Sequence, residues 1–324
     1  MTPSDMRDQG VTTSALVPCI PPNIMDRALA WADLPDDERR RRATAAAQAH
    51  DAAALADLAA DWLLLHGKKG ARASPLTRRR YRACALGLVA AWRGEDLLHP
   101  KRLAATRWLR GLEGQGLTPS TTRVHLAAAR ALYAALRTAG ATTDDPFRDL
   151  HPAPDPTARW EKRGPYADEE VDRLLAVADA DNRLLILLGA HAGLRVAEML
   201  ALVWEDVDLA GGRLVVKSGK GGKQRTVEIG RTLDAELAVQ RTPSGPLLRW
   251  RTDGKARRRL QEVCRAAGVP YRGIHSLRHT FGTRLYRETD LQTTSRMLGH
   301  AGVEVTTVYA KWSDEAGRTA IRAW

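Results

Sequence analysis

The sequence predicts a mainly helical chain with a small antiparallel sheet, divided into two domains. Three observations carry that prediction. Alanine, leucine and arginine are abundant while only two phenylalanines occur, a composition that favours helix. Five prolines (Pro146, Pro152, Pro154, Pro156 and Pro165) crowd one stretch and forbid a helix there. Beyond them, RLVVK at 213–217 and RTVEI at 225–229 alternate like strands on either side of the glycine-rich SGKGGKQ.

Taken in order, residues 1–48 read as an acidic amino-terminal extension, because residues 1–61 hold six basic and ten acidic side chains. A chain beginning near Asp51 is therefore expected to keep its binding surface. Residues 49–145 read as a helical bundle. ALADLAADWLLL (54–65) places Leu55, Leu58, Trp62 and Leu65 on one stripe, and TRRRYRACALGLVAAW (77–92) does the same with Tyr81, Leu88, Val89 and Trp92. A shorter helix is expected near 102–110. In the helix that follows, Thr118 suits the cap, Pro119 the first turn and Gly140 the stop, with Val124, Ala128, Ala131, Leu132 and Ala135 as the buried stripe. Residues 146–166 read as a proline-rich linker. The second domain, 167–324, is expected to carry helices near 168–179, 182–191, 232–240, 254–267, 276–288 and 291–298, and one in the tail, where Trp312, Ile321 and Trp324 recur at helical spacing.

Charge narrows the function classes. The chain carries 50 Lys plus Arg against 38 Asp plus Glu. Residues 62–137 hold fifteen basic and three acidic side chains, a surplus equal to that of the whole chain. So sharp a partition fits a phosphate-binding surface, with Arg78, Arg79, Arg80, Arg82 and Arg123 as the candidate DNA contacts. Cys19, Cys84 and Cys264 are odd in number and far apart, which argues against a disulfide framework and against a Cys-x-x-Cys metal site. No signal peptide is evident, and the longest apolar run, LLILLGA at 184–190, is too short to span a bilayer. A cytoplasmic, nucleoid-associated protein without a membrane partner is expected.

Chemistry concentrates in four segments. In GIHSLRHTFGT (273–283), His275, Arg278 and His279 fall at i, i+3 and i+4 and share a helix face. Zinc is argued against, because Ser276 stands where the H-E-x-x-H pattern needs its glutamate. The hairpin SGKGGKQR lacks the spacing of a P-loop. Arg195 and Arg278 suit the binding of phosphate oxygens, which guanidinium forks match bidentately. His125 and His191 match no motif.

In order, HAGLRVAEML, SGKGGKQR, HSLRHTFGT and LGHAGVEVTTVYA resemble the successive signatures of the tyrosine recombinases, or phage integrase family, with Tyr309 nine residues after His300. The resemblance is strong over about 160–315 and mainly architectural over 50–140. It implies a helical core-DNA-binding bundle and an α+β catalytic domain forming a C-shaped clamp on DNA. It implies Tyr309 as nucleophile, Arg195 and Arg278 as the phosphate clamp, Lys220 as general acid, and His275 and His300 as hydrogen-bonding or proton-transfer groups. Glu198 would support the cationic site, His279 would be structural, and Lys223 and Arg225 would contact phosphates nearby. No metal and no other cofactor is implied. The expected partners are double-stranded DNA with inverted half-sites, three further protomers in a homo- or hetero-tetramer, and a second recombinase or an activator. Chromosome dimer resolution of the Xer type is the first reading of the role, on the acidic amino end. An integrase of a phage or mobile element is the alternative, and a type IB topoisomerase or a catalytically silent DNA-binding protein stands further off.

Overall fold

The computed structural model describes residues 24–158, 162–217, 224–299 and 306–310. The chain is mainly helical with one small antiparallel sheet, and it divides into two compact units, Met1–Pro156 and Thr157–Trp324.

The first unit contains α1 (Ile24–Ala32), α2 (Asp36–Gln48), α3 (Ala52–His66), α4 (Pro75–Ala91), α5 (Ala104–Gly114) and α6 (Pro119–Thr138). Side-chain caps start three of them. Asp51 accepts from Ala54 N, Ser74 from Thr77 N and Thr118 from Thr121 N, with proline in the first turn of α4 and α6. Gly140, at φ +71°, follows α6 as the stop. The core gathers Leu55, Leu88, Trp92, Trp108, Leu132 and Tyr133. Tyr133 donates to Leu97 O at 2.8 Å, satisfying its buried hydroxyl. On α6 the buried set includes Leu126, Ala129, Tyr133 and Leu136 as well as the expected Ala128, Ala131, Leu132 and Ala135, while Val124 is only half-buried.

Two boundaries differ from the sequence reading. Residues 24–48 are no loose extension: Ala43 and Ala47 lie in the core of the bundle. Arg27 on α1 donates to both carboxylate oxygens of Asp61 at 2.9 and 2.7 Å and pairs with Asp57. The remaining residues of that segment, 1–23, lie outside the described ones. The linker also starts later than its prolines suggest. Phe147 is fully buried against Trp92, Trp108 and Tyr133, and Arg130 donates to the carbonyls of Phe147, Arg148 and Leu150. At the other end Tyr166 is buried in the second unit. Proline excludes a helix but not burial, so prolines alone could not place these ends.

The second unit contains α7 (Asp168–Val177), α8 (Ala180–Ala190), α9 (Val196–Ala201), β1 (Val207–Asp208), β2 (Arg213–Val216), β3 (Arg225–Glu228), α10 (Arg231–Gln240), α11 (Asp253–Ala266), α12 (Ile274–Glu288) and α13 (Leu291–Leu298). The apolar run at 184–190 is α8, in which Leu184 through Leu188 are all fully buried. A helix apolar on every side belongs at the centre of a domain. It meets α12 so closely that a β-carbon at Gly189 would lie 2.6 Å from Cβ of Leu277. The sheet runs β1-β2-β3, with Leu214 paired to Val227 and Val216 to Arg225. Two-residue β1 carries no readable alternation and was not expected.

Candidate active site

Arg195 immediately precedes α9, where the chain is still extended. Glu198, in the first turn, reaches back and accepts from Arg195 N at 2.8 Å and from Arg195 Nη1 at 2.9 Å. The same carboxylate accepts two hydrogen bonds from Arg225 at the start of β3, Nη1 to Oε1 at 2.7 Å and Nη2 to Oε2 at 2.8 Å. Glu198 is buried. Burial alone would raise its carboxyl, but the hydrogen bonds from Arg225 and from the backbone of Arg195 prevail and bring it down to about 2.

Arg278 comes from α12 and is fully buried. Its Nη1 donates to Gly193 O at 2.5 Å and its Nη2 to Leu298 O at 2.6 Å, and Glu198 Oε2 lies 3.9 Å away. Desolvation first, then neighbouring Arg195, lowers its guanidinium to about 10. It remains the cation. Gly193, at φ +64°, gives the turn before Arg195 its left-handed residue and leaves no room for a side chain, since a β-carbon would sit 2.4 Å from Phe281 Cδ1.

On the same helix, His275 and His279 stack edge-on with ring centres 4.7 Å apart, and His279 lies 5.9 Å from the ring of Tyr309. His275 keeps a solvent-exposed edge. Its crowded surroundings first, and then Arg278 and Arg195, press its imidazole down to about 4, so it is neutral at ambient pH. Tyr309 is 1% exposed. Burial pushes its phenol up to about 12, against the opposing pull of Arg278 and Arg195. The structure therefore brings Arg195, Glu198, His275, Arg278 and Tyr309 into one neighbourhood.

Lys220, Lys223 and His300 lie outside the described residues, as does the tail with Trp312, Ile321 and Trp324. What is described is the base of the hairpin, Val216 opposite Arg225, and the Leu298–Gly299 turn preceding His300. Two of the expected DNA contacts are committed elsewhere. Arg225 spends its fork on Glu198. Arg82 donates from Nε to Asp57 at 2.6 Å, whereas Arg79, Arg80 and Arg123 are exposed and Arg78 half-buried. Sequence reasoning missed Gly282, against which the Tyr309 ring lies. The signal was available as a lone glycine inside a helical pattern. Among the described residues no cluster of His, Cys, Asp and Glu could hold a metal ion, and no helix is long and apolar enough to cross a membrane.

The chain belongs to the phage integrase family, the tyrosine recombinases, whose model matches residues 166–316. Tyrosine recombinase XerD of Neisseria meningitidis serogroup B is 32% identical over 208 residues, covering 57% of this chain and 69% of that one. Tyrosine recombinase XerA of Pyrococcus furiosus is 35% identical over 160 residues, 44% of this chain and 56% of the relative. The chain thus spans little more than half the length of that archaeal relative. The fold is similar to that of XerH site-specific recombinase bound to palindromic difH substrate in a post-cleavage complex, with a TM-score of 0.60 at 21% identity over 79% of this chain and 82% of that one. It is also similar to a lambda integrase (75–356) dimer bound to a COC′ core site, with a TM-score of 0.61 at 16% identity over 73% and 89%.

Proposed function

We propose that the protein is a site-specific DNA recombinase that cuts and rejoins strands through Tyr309. The observation that carries this reading is the burial of Tyr309 against Gly282 of α12, the helix that also bears His275 and Arg278. The phenolate oxygen attacks a backbone phosphorus, the bond to the 5′ oxygen breaks, and a 3′-phosphotyrosyl linkage forms. Arg195 and Arg278 neutralise charge on the nonbridging oxygens. Lys220 delivers the proton that the departing 5′ oxygen needs, and His275 and His300 hydrogen-bond or shuttle protons at the same phosphate. A 5′ hydroxyl from a partner strand then displaces Tyr309, so the bond energy is conserved. A phenol held near 12 is a poor nucleophile until it loses its proton, which the two guanidiniums favour.

The substrate is duplex DNA with inverted half-sites, acted on by four protomers through a Holliday junction. Similarity to XerA and XerD and the acidic residues 1–61 favour an Xer-type role in chromosome dimer resolution over integration of a mobile element. Mapping the genomic sites occupied by the protein separates the two: one chromosomal site supports the first, the ends of an element the second. The chemistry is tested on a nicked suicide duplex. Wild type should trap a covalent protein–DNA adduct in the presence of a chelator, and Tyr309→Phe should bind but trap none. Adduct formed by the variant would overturn the assignment.

A further inference from the structure

Glu198 joins its own helix start to β3, 27 residues further along the chain. Arg195 holds one side of its carboxylate, and Arg225 holds both oxygens from β3. The Arg225 stem also passes beneath the turn after α13, where a β-carbon on Gly299 would lie 3.3 Å from its Cδ. Gly299 is left-handed at φ +64°, so the glycine serves both the turn and the passage of Arg225. The side chain of Arg225 is 18% exposed, which leaves little of it to meet a phosphate. A planar fork on a planar carboxylate is bidentate, fixes the plane of the acceptor, and cannot be reproduced by an ammonium.

From this we infer that Arg225 is a positioning residue: it fixes the Glu198 carboxylate, and through it the guanidinium of Arg195, without touching DNA. The base of the β2–β3 hairpin and the turn leading to His300 are thereby tied to the arginine that receives the phosphate. Buried Arg278 is anchored mainly by two carbonyl oxygens, with Glu198 only at 3.9 Å. Arg195 instead makes its short bond to Glu198 and a long one, 3.5 Å, to Gly299 O, so it is the clamp residue whose aim depends most on Arg225. The inference rests on reading this centre as a phosphoryl-transfer site.

The full chain is tested on the nicked suicide duplex with Arg225→Lys, Arg225→Ala, Glu198→Gln and the double variant Arg225→Lys/Glu198→Gln. Lysine keeps the charge, so a direct phosphate contact would survive largely intact, whereas the bidentate hold would not. Arg225→Lys should slow cleavage by about 10- to 100-fold with duplex affinity and its salt slope unchanged. The double variant should be no slower than Glu198→Gln alone. If Arg225→Lys cleaves at the wild-type rate, or if Arg225→Ala flattens the salt slope by about 1, Arg225 is a phosphate contact and the inference fails. Additive losses in the double variant would overturn it too. Thermal unfolding of each variant identifies any that misfold, and the lysine variant, which keeps charge and stem, carries the test if the alanine variant does. A wild type that forms no adduct would sink the proposed function instead, so the two failures are separable.

Discussion

The ring of Tyr309 lies on the backbone of Gly282: a β-carbon there would sit 2.6 Å from Cζ and 2.7 Å from Cε1 of the phenol. A ring this deeply buried has little free space to move into, so the ring as a whole would have to shift. Gly282→Ala improves the intrinsic helix propensity of α12 by up to about 1 kcal/mol yet should lower cleavage by about tenfold or more. Duplex affinity should stay unchanged. Wild-type cleavage rates in this variant would show that Gly282 does not seat the Tyr309 ring in the way proposed.

Removing α1 and α2 should cost the first unit its fold stability. A chain starting at Asp51 loses Ala28, Ala43 and Ala47 from buried positions and deprives buried Asp61 of Arg27. That truncation is therefore expected to lower the unfolding midpoint and weaken DNA binding, contrary to the expectation from charge alone. Arg27→Ala is the milder form, at about 1–3 kcal/mol. Asp61→Asn added to it should recover part of the loss, because desolvation already disfavours the Asp61 carboxylate. A double variant less stable than Arg27→Ala would contradict this account.

Acid should destabilise the second unit in two stages. His275 is depressed to about 4 and Glu198 to about 2 in the folded chain, against about 6.5 and 4.3 when unfolded. The unfolded chain therefore binds more protons, and stability falls as pH falls. The His275 contribution is lost between about 6.5 and 4, and that of Glu198 from about 4.3 towards 2. Unfolding midpoints measured from neutral pH downward should fall less steeply for His275→Asn in the upper range and for Glu198→Gln in the lower. Parallel profiles for wild type and variants would refute the assignment.

Reversing Arg78, Arg79 and Arg80 to glutamate should weaken binding to all duplexes alike and flatten the salt dependence. Arg82 behaves differently, because its partner Asp57 also pairs with Arg27. Arg82→Ala is expected to lower stability at least as much as affinity. An affinity loss confined to one sequence would mean that these arginines read bases.

Much of the site was legible because spacing on a helix fixes which side chains meet. His275, Arg278 and His279 share a face in sequence and in structure, and Glu198 stands three residues after Arg195 as a first-turn acceptor should. The carboxylate partners of Arg225 and Arg82 were not legible, for one physical reason. A carboxylate and a phosphate make nearly the same demand on a guanidinium, and only the fold decides which stands opposite. Helix α2 was illegible for another: its buried residues are alanine and its first seven residues are all charged, so no apolar period marks it. Phe147 was hidden among prolines that describe the backbone but not what the ring covers.

Arg278 has a consequence for the order in which the molecule assembles. Its two hydrogen bonds reach Gly193, 85 residues back, and Leu298, 20 residues on. Contacts so far apart along the chain form late, after the costly loops have closed. The pocket of Arg278 is therefore closed only when Gly193, α12 and the end of α13 have all come together, and on refolding, adduct formation on the nicked duplex should return no earlier than native tertiary structure.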